Sequence, residues 1–155
     1  DFLQKPFNID EIIVLTNIEK APIPQRERSG YLEEWSSGYG IKEVSGYLIN
    51  KSKELGGSKI YVMTEGYVGT LPDGINIYTF RYKNIEAFGI GWPVGAFPPN
   101  LNEYLEKGKV YLVVNKSRMK LPNTDNLKLI SIYPKPFSVN NQDFLMLYEV
   151  ANEKN

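Results

Sequence analysis

Hydrophobic and polar positions change period several times along the chain. Ile41, Val44, Leu48, Ser52 and Leu55 recur at helical spacing, which predicts an amphipathic helix over residues 40–55, with Gly56-Gly57 as its stop and Ser37 or Gly38 available to cap its start. Lys59 to Thr64 then reads as a strand. Thr70-Leu71-Pro72-Asp73 reads as a helix entry, with threonine at the cap and proline and aspartate in the first turn. Its continuation, residues 74–82, mixes β-rich composition with the helical spacing of Leu71, Ile75, Tyr78 and Tyr82, and a helix is expected. Ile85 to Ile90 is a second strand and Leu101 to Lys107 a short helix closed by Gly108. Lys109 to Asn115 is almost wholly apolar, as strands of buried parallel sheets are. Leu127 to Tyr133 and Phe144 to Val150 read as an antiparallel pair joined by a proline- and asparagine-rich loop. Helix–strand alternation followed by a hairpin predicts an α/β domain over residues 40–155. The expected form is a three-layer, Rossmann-like domain whose mixed, mostly parallel sheet ends in the hairpin. Residues 1–39 read as an extended segment packing on that domain, with one strand from Glu11 to Thr16 and a proline-rich loop from Ala21 to Gly30.

Composition narrows the chemistry. The 155 residues carry 18 Lys+Arg and 18 Asp+Glu, and neither His nor Cys. Zero net charge argues against a nucleic-acid partner, which requires a basic surplus or a clustered basic face. Without histidine or cysteine there is no Ser-His-Asp or Cys-His nucleophile and no imidazole or thiolate metal site, so neither metal nor cofactor is expected. The longest aliphatic run, Ile12 to Leu15, is far short of a membrane span. Asp1 to Pro6 has neither the basic start nor the apolar stretch of a secretory leader, so none is expected there, and a start at Asp1 rather than Met is expected of a processed protein or an excised fragment.

Two segments carry candidate binding chemistry. Trp35-Ser36-Ser37-Gly38-Tyr39-Gly40 puts hydroxyls and free backbone N–H groups at a helix start, an arrangement suited to an anion, although most such starts are ordinary caps. Glu65, Gly66, Gly69, Thr70 and Asp73 lie on the loop after the first strand, at the edge where open α/β sheets bind ligands. Glu65 and Asp73 could act as a carboxylate pair or hold sugar hydroxyls; alternatively Asp73 serves its own helix terminus and Glu65 is a solvated loop residue. Gly89-Ile90-Gly91-Trp92-Pro93-Val94-Gly95 is not a dinucleotide fingerprint, because the third glycine comes one place late and Pro93 stands where a helix should open. It reads as a restricted turn after a strand.

Taken in order, Ala21-Pro22-Ile23-Pro24, Trp35 to Gly40, Thr64-Glu65-Gly66, Gly69 to Gly74, Tyr111 to Arg118 and Tyr133-Pro134-Lys135-Pro136 form a recognisable series. It resembles the carboxy-terminal extracytoplasmic region of bacterial membrane glycosyltransferases similar to the dolichyl-phosphate-mannose–protein mannosyltransferases. The resemblance implies a parent protein with many transmembrane helices and a polyprenyl-phosphate-linked sugar as donor. The catalytic aspartate would lie upstream, so no residue of this chain inherits a catalytic role. The chain would then be a noncatalytic tail on the extracytoplasmic face of the cell membrane, partnered by its own transmembrane region and by a lipid-linked sugar phosphate or a glycan acceptor. Two other readings remain open: a freestanding carbohydrate-binding module, suggested by 13% aromatic residues and neutral charge, and a small enzyme using Glu65 and Asp73 as acid and base.

Overall fold

The structure is a computed structural model that describes residue 24, residues 38–135 and residues 142–151. The expected strand at Glu11–Thr16, the loop at Ala21–Gly30 (residue 24 apart) and Trp35, Ser36 and Ser37 lie outside the described residues.

The elements run α1 (Ile41–Glu54), β1 (Ile60–Glu65), α2 (Leu71–Thr79), β2 (Ile85–Gly91), α3 (Leu101–Lys107), β3 (Lys109–Asn115), a 3-10 turn (Lys116–Arg118), β4 (Leu127–Pro134) and β5 (Phe144–Val150). This is an α/β chain built on one five-stranded mixed sheet of order β2-β1-β3-β5-β4. β1 pairs in parallel with β2 and β3, while β5 runs antiparallel to both β3 and β4. The pairings thus divide evenly rather than being mostly parallel. The expected hairpin does form the end of the sheet, with its second strand β5 against β3 and β4 at the edge, and it thereby adds two antiparallel ladders to the two parallel ones.

Side chains alternate across this sheet into two apolar clusters. On one face Ile60 and Val62 of β1 and Tyr111 and Val113 of β3 pack with Val44 and Leu48 of α1 and Leu71 and Ile75 of α2. On the other, Tyr61, Met63, Val110, Leu112 and Val114 pack with Leu101, Tyr104 and Leu105 of α3. Each buried aliphatic side chain contributes ~1.5–3 kcal/mol, so both faces draw the sheet inward. The helical period at residues 41–55 is therefore a seam: Val44 and Leu48 are fully buried, while Glu43 near the start and Lys51 and Lys53 near the end complement the helix dipole. The ambiguous segment after Thr70 is helical to Thr79, because Leu71 and Ile75 gain a buried face against β1 that outweighs the β propensity of Ile77 and Tyr78.

The chain leaves β1 through α2 on one face and enters β3 through α3 on the other, with β1 lying between β2 and β3. The segment leaving β3 also packs on that second face, through Met119 and Leu121, so the chain departs to opposite faces at the carboxyl ends of β1 and β3, the geometry that opens a crevice in sheets of this kind.

Gly89 is set by this geometry rather than by a turn. It lies within β2, and a Cβ there would stand 1.9 Å from the Gly66 carbonyl oxygen. Gly66 itself has φ +83 and donates its N–H to the Gly91 carbonyl at 2.9 Å. Gly89 therefore lets two backbones meet; the turn itself follows at a cis Trp92–Pro93 bond. Gly89→Ala should destabilise the chain by ~2–4 kcal/mol in urea denaturation, because backbone must move to admit the methyl group. Gly95→Ala, where a Cβ would meet nothing within 4 Å, should change stability by less than ~0.5 kcal/mol. Equal stabilities would contradict the close approach.

Candidate functional site

β1 is buried over its whole length, and its last residue is Glu65. A carboxylate without solvent contact needs donors, and Asn115 at the end of the neighbouring strand β3 supplies two. Its backbone N–H donates to Glu65 Oε2 at 3.0 Å, and its Nδ2 donates to Oε1. Burial pushes the Glu65 carboxyl above its ordinary range, opposed by the two Asn115 hydrogen bonds and by the charges of Lys135 and Arg118. Glu65 is thus the terminal residue of a strand rather than part of the turn after it, and it joins β1 to β3.

β4 runs alongside in the same sense as β3, since both are antiparallel to β5. Its end brings Lys135, only 2% exposed, to the same edge. Burial lowers the Lys135 ammonium to about 8, while Asp143 and Glu65 act to raise it. Asp143, at the entry to β5, accepts from the Ser117 N–H (3.1 Å), the Ser117 hydroxyl (3.0 Å) and the Phe144 N–H (3.0 Å). The Arg118 guanidinium lies over the Trp92 ring, 4.8 Å from its centre. Residues from β1, β3, β4 and β5 thus form one polar cluster at the carboxyl edge of the parallel strands.

The loop anticipated from sequence lies at the same edge. Thr70 stands at the cap position of α2, yet its hydroxyl caps nothing in the helix. It donates instead to the Tyr67 carbonyl at 2.6 Å and accepts from the Tyr67 N–H at 3.0 Å, closing the turn on itself. Asp73, in the first turn of α2, accepts from the Gly69 N–H. Gly66, Gly69, Thr70 and Asp73 are therefore brought together in one turn, whereas the Glu65 carboxylate faces Asn115; among the described residues no hydrogen bond joins Glu65 to Asp73. Of the helix-start residues, Gly38 is exposed, and Gly40 stands immediately before α1, against Tyr133 of β4 and Leu145 of β5.

Asn115, Arg118, Lys135 and Asp143 were not singled out from sequence as site residues. The one available signal was position: Asn115 and Asp143 each stand at the end of an apolar strand pattern, where a polar residue either caps the strand or faces a neighbouring loop. Which neighbour it would meet depends on strand order. Among the described residues no group of three or more His, Cys, Asp or Glu is placed to hold a metal ion.

The buried ammonium sets a pH dependence. Below about pH 8 Lys135 is protonated in folded and unfolded chains alike, and the fold bears the cost of burying the charge. Between about 8 and the ordinary 10.5 the unfolded chain binds more protons, so stability attributable to Lys135 rises with pH. Relative to Lys135→Met, the wild-type chain should gain about 2 kcal/mol between pH 7 and pH 10 in urea denaturation. A difference that stays flat would mean that Lys135 is not held as described.

Comparison with family models, curated proteins and solved structures finds no match to this chain.

Proposed function

We propose that this chain is a noncatalytic, extracytoplasmic accessory domain of a polytopic membrane glycosyltransferase that uses a polyprenyl-phosphate-linked sugar. In this reading the carboxyl edge of the sheet positions the donor or the glycan acceptor for a transmembrane catalytic region. One observation carries the reading: the described parts of five segments far apart in sequence, all among those on which the resemblance rests, reach one edge. Gly40 packs on Tyr133. Thr64-Glu65-Gly66 closes β1, and Gly69 to Gly74 leads into and opens α2. Asn115 to Arg118 follows β3, and Tyr133 to Lys135 ends β4, with Glu65 bonded to Asn115 and attracted by Lys135. A motif series scattered across a fold would suggest independent structural roles; its convergence at the edge where such sheets bind ligands supports a shared one.

The finer fold reading belongs to the same proposal: α1 and α2 on one face and α3 on the other, around a sheet whose order reverses at β1, are consistent with a three-layer Rossmann-like domain. A carboxylate-pair enzyme is less well supported, since Glu65 is buried with both oxygens accepting from Asn115 while Asp73 accepts from Gly69. Chemistry in the accessory-domain reading therefore sits outside this chain.

An antibody raised against the 155-residue chain tests the reading on the native protein. The expected result is a band several times heavier than 17.7 kDa, confined to the membrane fraction. A native band near 17.7 kDa in the soluble fraction of cells lysed under protease inhibition would overturn it.

A further inference from the structure

The sheet ends in two different edges, β2 on one side and β4 on the other. β2 is closed by its own surroundings. The Asn84 and Phe88 carbonyls turn toward β1, accepting from the Ile60 N–H and the Thr64 hydroxyl, so the Ala87 carbonyl between them points away from the sheet. Asn76 of α2 donates its Nδ2 to that carbonyl at 3.1 Å, and the Ile85 N–H is spent on the Tyr82 carbonyl. An edge whose groups are taken in this way is a poor template for a further strand.

β4 is open in its middle. The Lys135 N–H donates to the Asp143 carbonyl and the Ala151 N–H to the Asn126 carbonyl, which fixes the phase of the ladder. Asn126, Lys128, Ser131, Tyr133 and Lys135 bond to β5, and Leu127, Leu129, Ile132 and Pro134 turn their backbone groups outward. At the two ends no outward N–H remains, since Leu127 donates to the Thr124 carbonyl and a proline has none to give. Among the described residues nothing outside the sheet bonds the backbone of Leu129 or Ile132. Their side chains, each 47% exposed, share one face, because their partners on β5 are Tyr148 and Met146, which belong to the same apolar cluster. The bulge between Leu129 and Ser131 permits this: it absorbs one residue, so two positions three apart share both an edge and a face.

From this pattern we infer that the β4 edge pairs antiparallel with β4 of a second copy of the chain across a twofold axis, joining two five-stranded sheets into one. The two open residues set the register. Leu129 faces Ile132 of the second copy, Ile132 faces Leu129 of the second copy, and each pair exchanges both N–H···O bonds. The span from 129 to 132 is the same in both copies, so the bulges keep step. The exposed side chains then form one apolar row across the axis, the arrangement that stabilises neighbouring strands. Charge is compatible as well: Lys128 is the only charged residue of β4, and this register sets it opposite Tyr133 rather than its own equivalent. A second β4 suits the edge better than a flexible peptide does. So few hydrogen bonds offset little of the entropy lost in ordering a free chain, whereas two preformed strands lose much less. The contact is short, and the dimer is reversible.

The inference stands apart from the transferase reading, and its failure would leave that reading standing. Sedimentation velocity of the 155-residue chain over a series of concentrations should show a reversible monomer–dimer equilibrium. Ile132→Glu puts a carboxylate into the apolar row and should weaken the dimer roughly tenfold or more. Its circular dichroism spectrum should be unchanged, because the position is half-exposed in the single chain. Register is read separately, in a chain that has no cysteine of its own. Leu129→Cys and Ile132→Cys chains, mixed under oxidising conditions, should cross-link to each other far faster than either does to itself. Facing residues of such a pair have Cα atoms about 5.5 Å apart, within disulfide reach. A chain that stays monomeric, a dimer that Ile132→Glu leaves intact, or cross-linking with no preference for the mixed pair would each overturn the inference. So would Leu129 and Ile132 amides protected from hydrogen exchange equally at low and high concentration, which would assign the edge to a segment of the same chain.

Discussion

A carboxylate at the end of the central strand has to be satisfied without water, and much of the carboxyl edge is arranged around that requirement. Glu65 is fully buried, and moving an unpaired charge out of solvent costs several kcal/mol even after relaxation. Asn115 meets it with two donors, a backbone N–H and a side-chain amide, which fixes the end of β3 relative to the end of β1. Lys135 brings a compensating charge from β4, and Asp143 links the entry of β5 to Ser117 after β3. The buried cluster thus acts as a joint between strands that are far apart in sequence, and it dictates which groups are left to face outward.

The same edge is permitted only by backbone proximity. Gly66 and Gly89 approach so closely that neither the β1–α2 turn nor β2 could keep its course with a side chain at position 89. This contact pins Tyr67 and Val68 outward while the residues beneath them point into the sheet. An exposed apolar tip is costly in isolation and would be expected to collapse onto nearby apolar surface. Here the turn that carries it is closed by its own hydrogen bonds, so the tip is held out on a rigid base.

The structure separates two roles that a list of polar residues would merge. The interior members of the edge, Glu65, Asn115 and Lys135, are buried and occupied with one another; they hold the architecture in place. Tyr67 and Val68, at the tip of the β1–α2 turn, are exposed and stand apart from that cluster.

Much of the fold was legible from period and punctuation alone. The strands at 109–115 and 144–150 and the helix at 101–107 have the bounds their apolar runs and flanking residues suggest, because burial on both faces or on one is encoded in the local pattern. The turn at Gly66 to Asp73 was legible too, since its glycines and its helix-entry residues act within a few positions of one another. What the sequence could not determine was strand order, and with it everything that depends on partners across the sheet. The placement of β5 between β3 and β4, the partnership of Glu65 with Asn115 fifty positions away, the burial of Lys135 and the need for glycine at position 89 all arise from contacts between segments with no local signature of one another. Local sequence sets which faces are apolar and where the chain turns; only the packed sheet decides which polar ends meet, because that choice minimises unsatisfied charge over the whole edge at once.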